Sequence, residues 1–441
     1  MIPRRARLAP SVVLLITAIL AAPAQVAAQV DTATSRLDVN GLQVILRRNT
    51  ANDVVAANVY LLGGTQQLTP ATQGIEAFLL QASEQGTKRF PRETVRQLTA
   101  GLGSTIIVDP SDDWTRFGFT TVRDNFDSTW AIFADRLMAP TLDSSEVELV
   151  RERMIAAFRE AENNPDPMLM RLADSVAHPG HPYSFAPGGT ESSLRSISLD
   201  ALRNYEETQM VTSRILLVVV GNIDRPHLES LVQRTLGQLP RGSYKWSPPR
   251  PLPKLGHALL VRDVQLPTNY LLGYYAGPSA RDPDYPALRV ASAVLSGRFF
   301  TEIRSRRNLT YEVEAPFLER AIGDGGVYVT TTDPNATLQV MRTEIDRLQR
   351  ELIDVEGLER LTQQFITDYF LKNETNADQA SFLARAQIYQ GDYRAADQFV
   401  DDLRRVRPED VRRVARQYMH DFRFVYLGKP SALSRALIDR F

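Results

Sequence analysis

The residues able to do chemistry in this chain are few. Histidine occurs five times, as His178, His181, His227, His257 and His420, and cysteine not at all. Without cysteine there is no disulfide, no thiolate metal site and no thiol nucleophile. His178 and His181 stand three apart in AHPGHPYS and could share a metal, but no recognisable spacing supplies further ligands. A surface loop with local hydrogen bonds is the simpler reading of that segment, and the other three histidines are isolated. Neither G-x-x-x-x-G-K-[ST] nor G-x-S-x-G occurs, so a phosphate-cradling loop and a serine elbow of those types are absent.

The elements that would have to position any site are legible. Lys and Arg number 51 against 52 Asp and Glu over 441 residues, which leaves no electrostatic footprint for nucleic acid. Residues 1–28 read as a secretory signal peptide. Arg4, Arg5 and Arg7 precede the apolar run Val12 to Ala22, and Val26-Ala27-Ala28 offers a cleavage site. No later apolar run is long enough to span a bilayer. A soluble exported protein of a bacterial periplasm is the expectation.

Pro240 to Pro253 carries five prolines in 14 residues. Residues 240–256 therefore read as a semi-rigid linker between halves at 29–239 and 257–441. The halves repeat one order of elements. VVAANVYLL (54–62) meets Gly63-Gly64 and leads to a helix from Gly74, while NYLLGYYA (269–276) meets Gly277-Pro278 and leads to a helix from Pro286. Each half ends on a strand, ILLVVVG (215–221) and FRFVYLG (422–428). LDVNGLQVILRR alternates around Asn40-Gly41 and predicts a hairpin, and Ser144–Glu162 and Asn335–Leu352 predict long amphipathic helices.

The segment GIEAFLLQASEQGTKRFP (74–91) resembles the zinc helix of the insulinase/pitrilysin metallopeptidases, the inverzincins, whose pattern is H-x-x-E-H after a glycine and before Gly-Thr. Gly74, Phe78, Leu79, Gly86 and Thr87 keep the frame, but the ligand and base positions fall on Ala77, Leu80 and Gln81. The family's third ligand, a glutamate on a later helix, aligns with Ala157 in VRERMIAAFREAENNPDP, and Glu160 and Glu162 are out of phase with it. A methyl, an isobutyl and a neutral amide supply neither zinc ligands nor a general base. The family's substrate-holding Asn-Ala pair on an edge strand aligns with Ile107 and Val108. HPYSFAPGGTESSL, VVVGNIDRPHLESLV and SGRFFTEIRSRRNLTYEVEA match further family segments, in order, along nearly the whole mature chain.

The last of these carries the family's arginine–tyrosine pair as Arg304 and Tyr311, with Asn308 and Thr310 where small residues are usual. From the residues alone, the simpler reading is that Arg304 is one of several surface arginines and Tyr311 a packing residue. The resemblance implies instead that the pair binds a substrate carbonyl and its oxyanion. It also implies an α+β fold of two homologous halves, each an antiparallel sheet faced by helices, closing like a clam around a cavity. The function implied is that of a zinc-less subunit, inactive alone, whose homologous partner brings the zinc and whose ligand is a peptide. A non-enzymatic scaffold or peptide-binding protein of the same fold is the alternative.

Overall fold

The computed structural model describes residues 34–252 and 255–441, so the expected signal peptide lies outside the described residues. The first half contains strands β1 (Thr34–Val39), β2 (Leu42–Arg48), β3 (Val54–Leu62), β4 (Thr105–Pro110), β5 (Trp114–Val122) and β6 (Ile215–Gly221). Its helices are α1 (Ile75–Ala82), α2 (Arg92–Gly101), α3 (Phe126–Met138), α4 (Ser144–Asn163), α5 (Pro165–Ala177), α6 (Glu191–Ser196), α7 (Leu199–Gln209) and α8 (Arg225–Arg234). The second half contains β7 (Ala258–Arg262), β8 (Asn269–Ser279), β9 (Thr310–Glu314), β10 (Phe317–Leu318), β11 (Ile322–Thr331) and β12 (Arg423–Leu427). Its helices are α9 (Asp284–Phe299), α10 (Pro334–Arg350), α11 (Val355–Lys372), α12 (Asn376–Arg385), α13 (Ala395–Arg404), α14 (Pro408–Tyr418) and α15 (Arg435–Ile438). The Asn40-Gly41 hairpin forms with both residues at positive φ, as a tight two-residue turn requires.

The internal repeat holds at the level of topology. The first sheet runs β1-β2-β6-β3-β5-β4, and the second runs β7-β12-β8-β11 with β9 and β10 end to end along the outer edge of β11. β2–β6 and β7–β12 are the parallel pairs, one in each sheet, and the pairs that follow are antiparallel in both. Each sheet is therefore mixed rather than purely antiparallel. The long excursion between β2 and β6, with α1 to α7 inside it, gives the last strand of each half the length it needs to return alongside the first.

Alternate residues of the central strands enter different cores. Leu217 and Val219 of β6 join the first half's own core with Phe78, Phe117 and Phe133, while Leu216, Val218 and Val220 pack with α12. In β12, Phe424 and Tyr426 face the second half's own helices, and Val425 and Leu427 face α5. Both faces of these strands are buried, which is why they read as unbroken apolar runs. Each half thus lends a helix to the other, with α5 lying on β8 and β12 and α12 lying on β3 and β6. The cavity expected between the halves is filled by these two helices.

A buried polar cluster pins the crossing. Arg320 of the second half bonds Asp112 at 2.7 Å and Asp174 at 2.8 Å and lies 3.4 Å from Asp324. His178 is fully buried and contacts Asp324 through Nε2 at 3.1 Å and the Asp174 carbonyl through Nδ1 at 3.0 Å. Asp113 accepts from the Tyr183 and Tyr389 hydroxyls, both at 2.8 Å, and from the Ala321 amide at 2.9 Å. The surface-loop reading of His178 and His181 is thus corrected. Both are buried, and the Pro-Gly turn between them leads the chain from α5 past this cluster, with His181 Nε2 against the Arg250 carbonyl at 3.0 Å. That contact, with Gln66 on the Ser247 carbonyl and the Thr212 and Ser213 amides on the Pro240 and Arg241 carbonyls, straps residues 240–250 onto the first half.

Burial works against the charge of Arg320, but the three carboxylates outweigh it and hold the guanidinium charged well above its usual range. Burial pushes Asp112 up to about 7, helped by the nearby Asp174 and Asp113. For His178, burial is outweighed by Asp324, so its proton is held more tightly than usual. Removing Arg320 leaves buried Asp324 and half-buried Asp112 and Asp174 without their shared counter-charge. Arg320→Met is predicted to lower the unfolding free energy by about 3–5 kcal/mol, read from urea denaturation.

Asp112 and His178 both bind a proton more tightly folded than unfolded, so both contributions have the same sign. The Asp112 contribution is present below the unfolded carboxyl value near 4 and is lost by about pH 7. The His178 contribution begins to fade near 6.5 and is lost above its raised folded value. The unfolding free energy from urea titration should therefore fall between pH 5 and pH 8, by no more than about 1.4 kcal/mol per pH unit for each proton, and the midpoint with it. Asp112→Asn should flatten the lower part of that slope. A midpoint that rises over this range would contradict the assignment.

Candidate functional site

The two segments singled out by sequence occupy corresponding places in the two halves. Helix α1 follows β3 and lies near edge strand β4, and α9 follows β8 and packs on β9. Gly74 opens α1 at φ 82°, and a Cβ there would lie 2.5 Å from the Gly189 backbone, so the glycine frame is a steric requirement.

On α1, Ala77 and Leu80 are fully buried in the first half's core and Gln81 is half-buried. Ala157 is exposed on α4, which packs against α1. The four positions fall on neighbouring helices, as a zinc site would require, but they present a methyl, an isobutyl, an amide and a methyl. These donors do not fit zinc. Glu160 is exposed, and Glu162 is bound in both oxygens by Arg171 at 2.6 Å. Ile107 and Val108 do lie on the edge strand, β4, opposite Gly118 and Phe117 of β5.

Helix α1 is held by other means. Glu76 forms a buried ion pair with Arg214 at 2.7 Å and accepts from Tyr205 at 3.0 Å. At the other end, buried Arg136 donates to the Leu80 carbonyl and to Ser83 Oγ, both at 3.2 Å. Burial pushes the Arg136 guanidinium down to about 10.

In the second half, α9 runs on into a π-helical turn, Phe300–Ser305. Such wide turns redirect side chains and are frequent at functional sites. Here the turn brings Arg304 against Tyr311, seven residues on and on β9. The guanidinium carbon lies 4.9 Å from the Tyr311 ring centre and 5.2 Å from that of Phe300. Glu302 takes the two neighbouring arginines, Arg306 at 2.6 Å and Arg307 at 2.7 Å. Among the described residues no carboxylate pairs with Arg304. Asn308 makes the left-handed turn at φ 52°, which asparagine tolerates, so the departure from glycine leaves the geometry intact. Thr310 is buried and its hydroxyl bonds the Thr330 carbonyl, locking β9 onto β11.

Tyr311 is 82% exposed, an unusual position for an aromatic ring. The pair therefore presents a phenol and a guanidinium with free N–H edges to whatever docks there. The aromatic faces fix the guanidinium in place, and both side chains can donate to a carbonyl oxygen or an oxyanion. Phe300 and the crossing cluster of Asp112, Asp113, Asp174, His178, Arg320 and Asp324 were not foreseen. The only sequence signals were an aromatic four residues before Arg304 and scattered acids in loops.

Two family models match the chain: "Insulinase (Peptidase family M16)" over residues 43–184 and "Peptidase M16 inactive domain" over residues 196–365. An uncharacterised zinc protease of Bacillus subtilis is 22% identical over 401 residues, spanning 89% of this chain and 97% of the relative. The mitochondrial-processing peptidase subunit beta of Lentinula edodes is 22% identical over 404 residues, 87% of this chain and 86% of that one. A peptidase M16 inactive domain from Pseudomonas fluorescens superposes with a TM-score of 0.82 over 90% of this chain and 98% of its own, at 17% identity. If α1 and α4 keep the spacing of a zinc site, restoring the donors should restore the metal. The variant Ala77→His, Leu80→Glu, Gln81→His, Ala157→Glu is predicted to hold about one zinc per chain by metal analysis, and the parent chain none.

Proposed function

Because the chain belongs to the insulinase (M16) peptidase family, we propose that it is the zinc-less subunit of an exported, heteromeric zinc metallopeptidase, inactive alone. The observation that carries this reading is the contrast between the two halves. The zinc helix offers no ligand, while half-buried Arg304 stands against exposed Tyr311 with no carboxylate partner among the described residues. A homologous partner would bring the zinc, which supplies an activated water. The mitochondrial-processing peptidase relative carries the name of a subunit. The expected signal peptide supports export to a bacterial periplasm, and among the described residues no helix is long and apolar enough to cross a membrane.

This chain's own part is binding and charge stabilisation. Tyr311 Oη donates to the oxygen of the scissile carbonyl as it gains negative charge, and Arg304 fixes the neighbouring peptide through its planar donors. Closing the partner against this face excludes water and strengthens both interactions. The pair can act only where a partner places a reacting bond, since nothing on α1 can activate water.

With the partner present, Tyr311→Phe should lower kcat about 100–1000-fold and leave assembly intact. Arg304→Ala should raise KM, lower kcat, or both. Peptidase activity and complex formation, by gel filtration, are the two readouts. Full activity with both substitutions in an intact complex would reject the catalytic role and leave the scaffold reading.

A further inference from the structure

The internal repeat exposes a difference between the halves. In the first half, the corner between the β3–α1 loop and the end of α5 is filled by the chain's own extended segment. Gly189 lies against Gly74, the Ala186 amide donates to Gln73 Oε1 at 2.8 Å, and Ser193 Oγ donates to the Gln73 carbonyl at 2.9 Å. In the second half, α12 ends in a π-helical turn, Ala386–Gln390, and a short turn at Gly391 leads straight to α13. The corresponding corner, between the β8–α9 loop and α12, is a cavity of about 740 Å³.

The cavity has an apolar body and a cationic head. Ala287, Ala386 and Ala395 form its floor and Phe382 and Phe399 its wall. At the head, Glu319 is bound by both Arg289 and Arg385. Two guanidiniums share one carboxylate there, so the group carries a net positive charge and has donors to spare. Their side chains keep 24% and 45% of their surface, so a ligand can reach them. Phe399 lies 4.7 Å from the Arg289 guanidinium and fixes its plane. At the mouth, Asp284 and Asp410 are taken by Arg413 and Asp402 by Arg405, and Asp282 caps the Asp284 amide. The acids at the mouth outnumber the arginines bound to them, so the positive charge is local to the Arg289–Arg385 head.

We propose that this corner binds the carboxy-terminal end of a peptide. The terminal apolar side chain lies among the alanines and Phe382, and the terminal carboxylate bridges Arg289 and Arg385. A peptide segment is what fills the equivalent corner of the first half. A free carboxylate at its end distinguishes a cut or short peptide from the interior of a chain. The site belongs to this chain alone and does not require the subunit assignment.

The test is calorimetric titration of the full chain, without partner, with N-acetyl-Leu-Phe as free acid and as carboxamide. The acid should bind saturably and the amide about tenfold or more weakly, since a charge-assisted bond to two arginines is lost. Ala395→Phe, at a half-buried position, should fill the floor and abolish binding with an unchanged melting curve. Arg385→Gln should bring the acid down to the level of the amide. Equal affinity for acid and amide, absence of binding, or indifference to Ala395→Phe would overturn the proposal. Dodecanoate binding as tightly as the peptide acid would also overturn it, in favour of small amphipathic acids. Failure of the Arg304 and Tyr311 substitutions to affect turnover would leave it untouched.

Discussion

Arg320 is the residue on which the rest of the molecule depends. It stands on the loop into β11 of the second half and binds Asp112 and Asp174 of the first. A single buried guanidinium facing three carboxylates is costly to assemble and more costly to break. Its partners come from the approach to β5, from α5 and from β11, so forming the cluster fixes the crossing of α5 over the second sheet. His178 sits at the end of that same helix and closes on Asp324, and Tyr389 at the end of α12 closes on Asp113. Both lent helices are therefore anchored at their C-terminal ends by one network. Apolar packing on β3, β6, β8 and β12 supplies the bulk of the attraction, while the polar network supplies the register.

This construction changes what a chamber can mean for the chain. Two halves that bury helices in each other form one body, and its exposed functional surface lies elsewhere. Helices α1 and α9 lie on the side of each sheet away from the lent helix, and β4 and β9 lie at the sheet edges beside them. In the proposed reading, the enclosing surface of a water-excluding site comes from another molecule. The unpartnered outer edges of β4 and β9 and the exposed Tyr311 fit that requirement.

Much of this was legible in the sequence, for definite physical reasons. The strands at 54–62, 215–221 and 269–276 are apolar on both faces, and their order repeats, so the two sheets and their similarity could be read directly. The Asn40-Gly41 turn and the helices at 144–163 and 334–350 follow from local chemistry and period. The interlock was not legible, because α5 and α12 have the same apolar stripe whether they cover their own sheet or the other half's. Nor was the crossing cluster. Asp112, Asp174 and Arg320 are ordinary loop and helix-end charges until the fold brings residues up to 208 positions apart into one site. A pair of histidines beside Pro-Gly looked like surface for the same reason.

The candidate site shows the same division. That α1 has no ligands follows from three side chains and needs no coordinates. That it remains a well-placed helix does not follow, since a bound metal can itself hold a fold together. The structure shows what holds it: Glu76 on Arg214 and Tyr205, Arg136 on the helix C-terminus, and Ala77 and Leu80 buried as core residues. Each of these ties runs to the rest of the first half. The packing of α1 in the first half thus uses no metal ligand. The second half keeps its donors free through a charge arrangement within one turn, in which Glu302 satisfies Arg306 and Arg307 and leaves Arg304 to the two aromatic rings. Had Glu302 bound Arg304 instead, the pair would be a closed surface contact. The arrangement therefore separates structural charge from available charge within six residues, and the role proposed for Arg304 and Tyr311 rests on that separation.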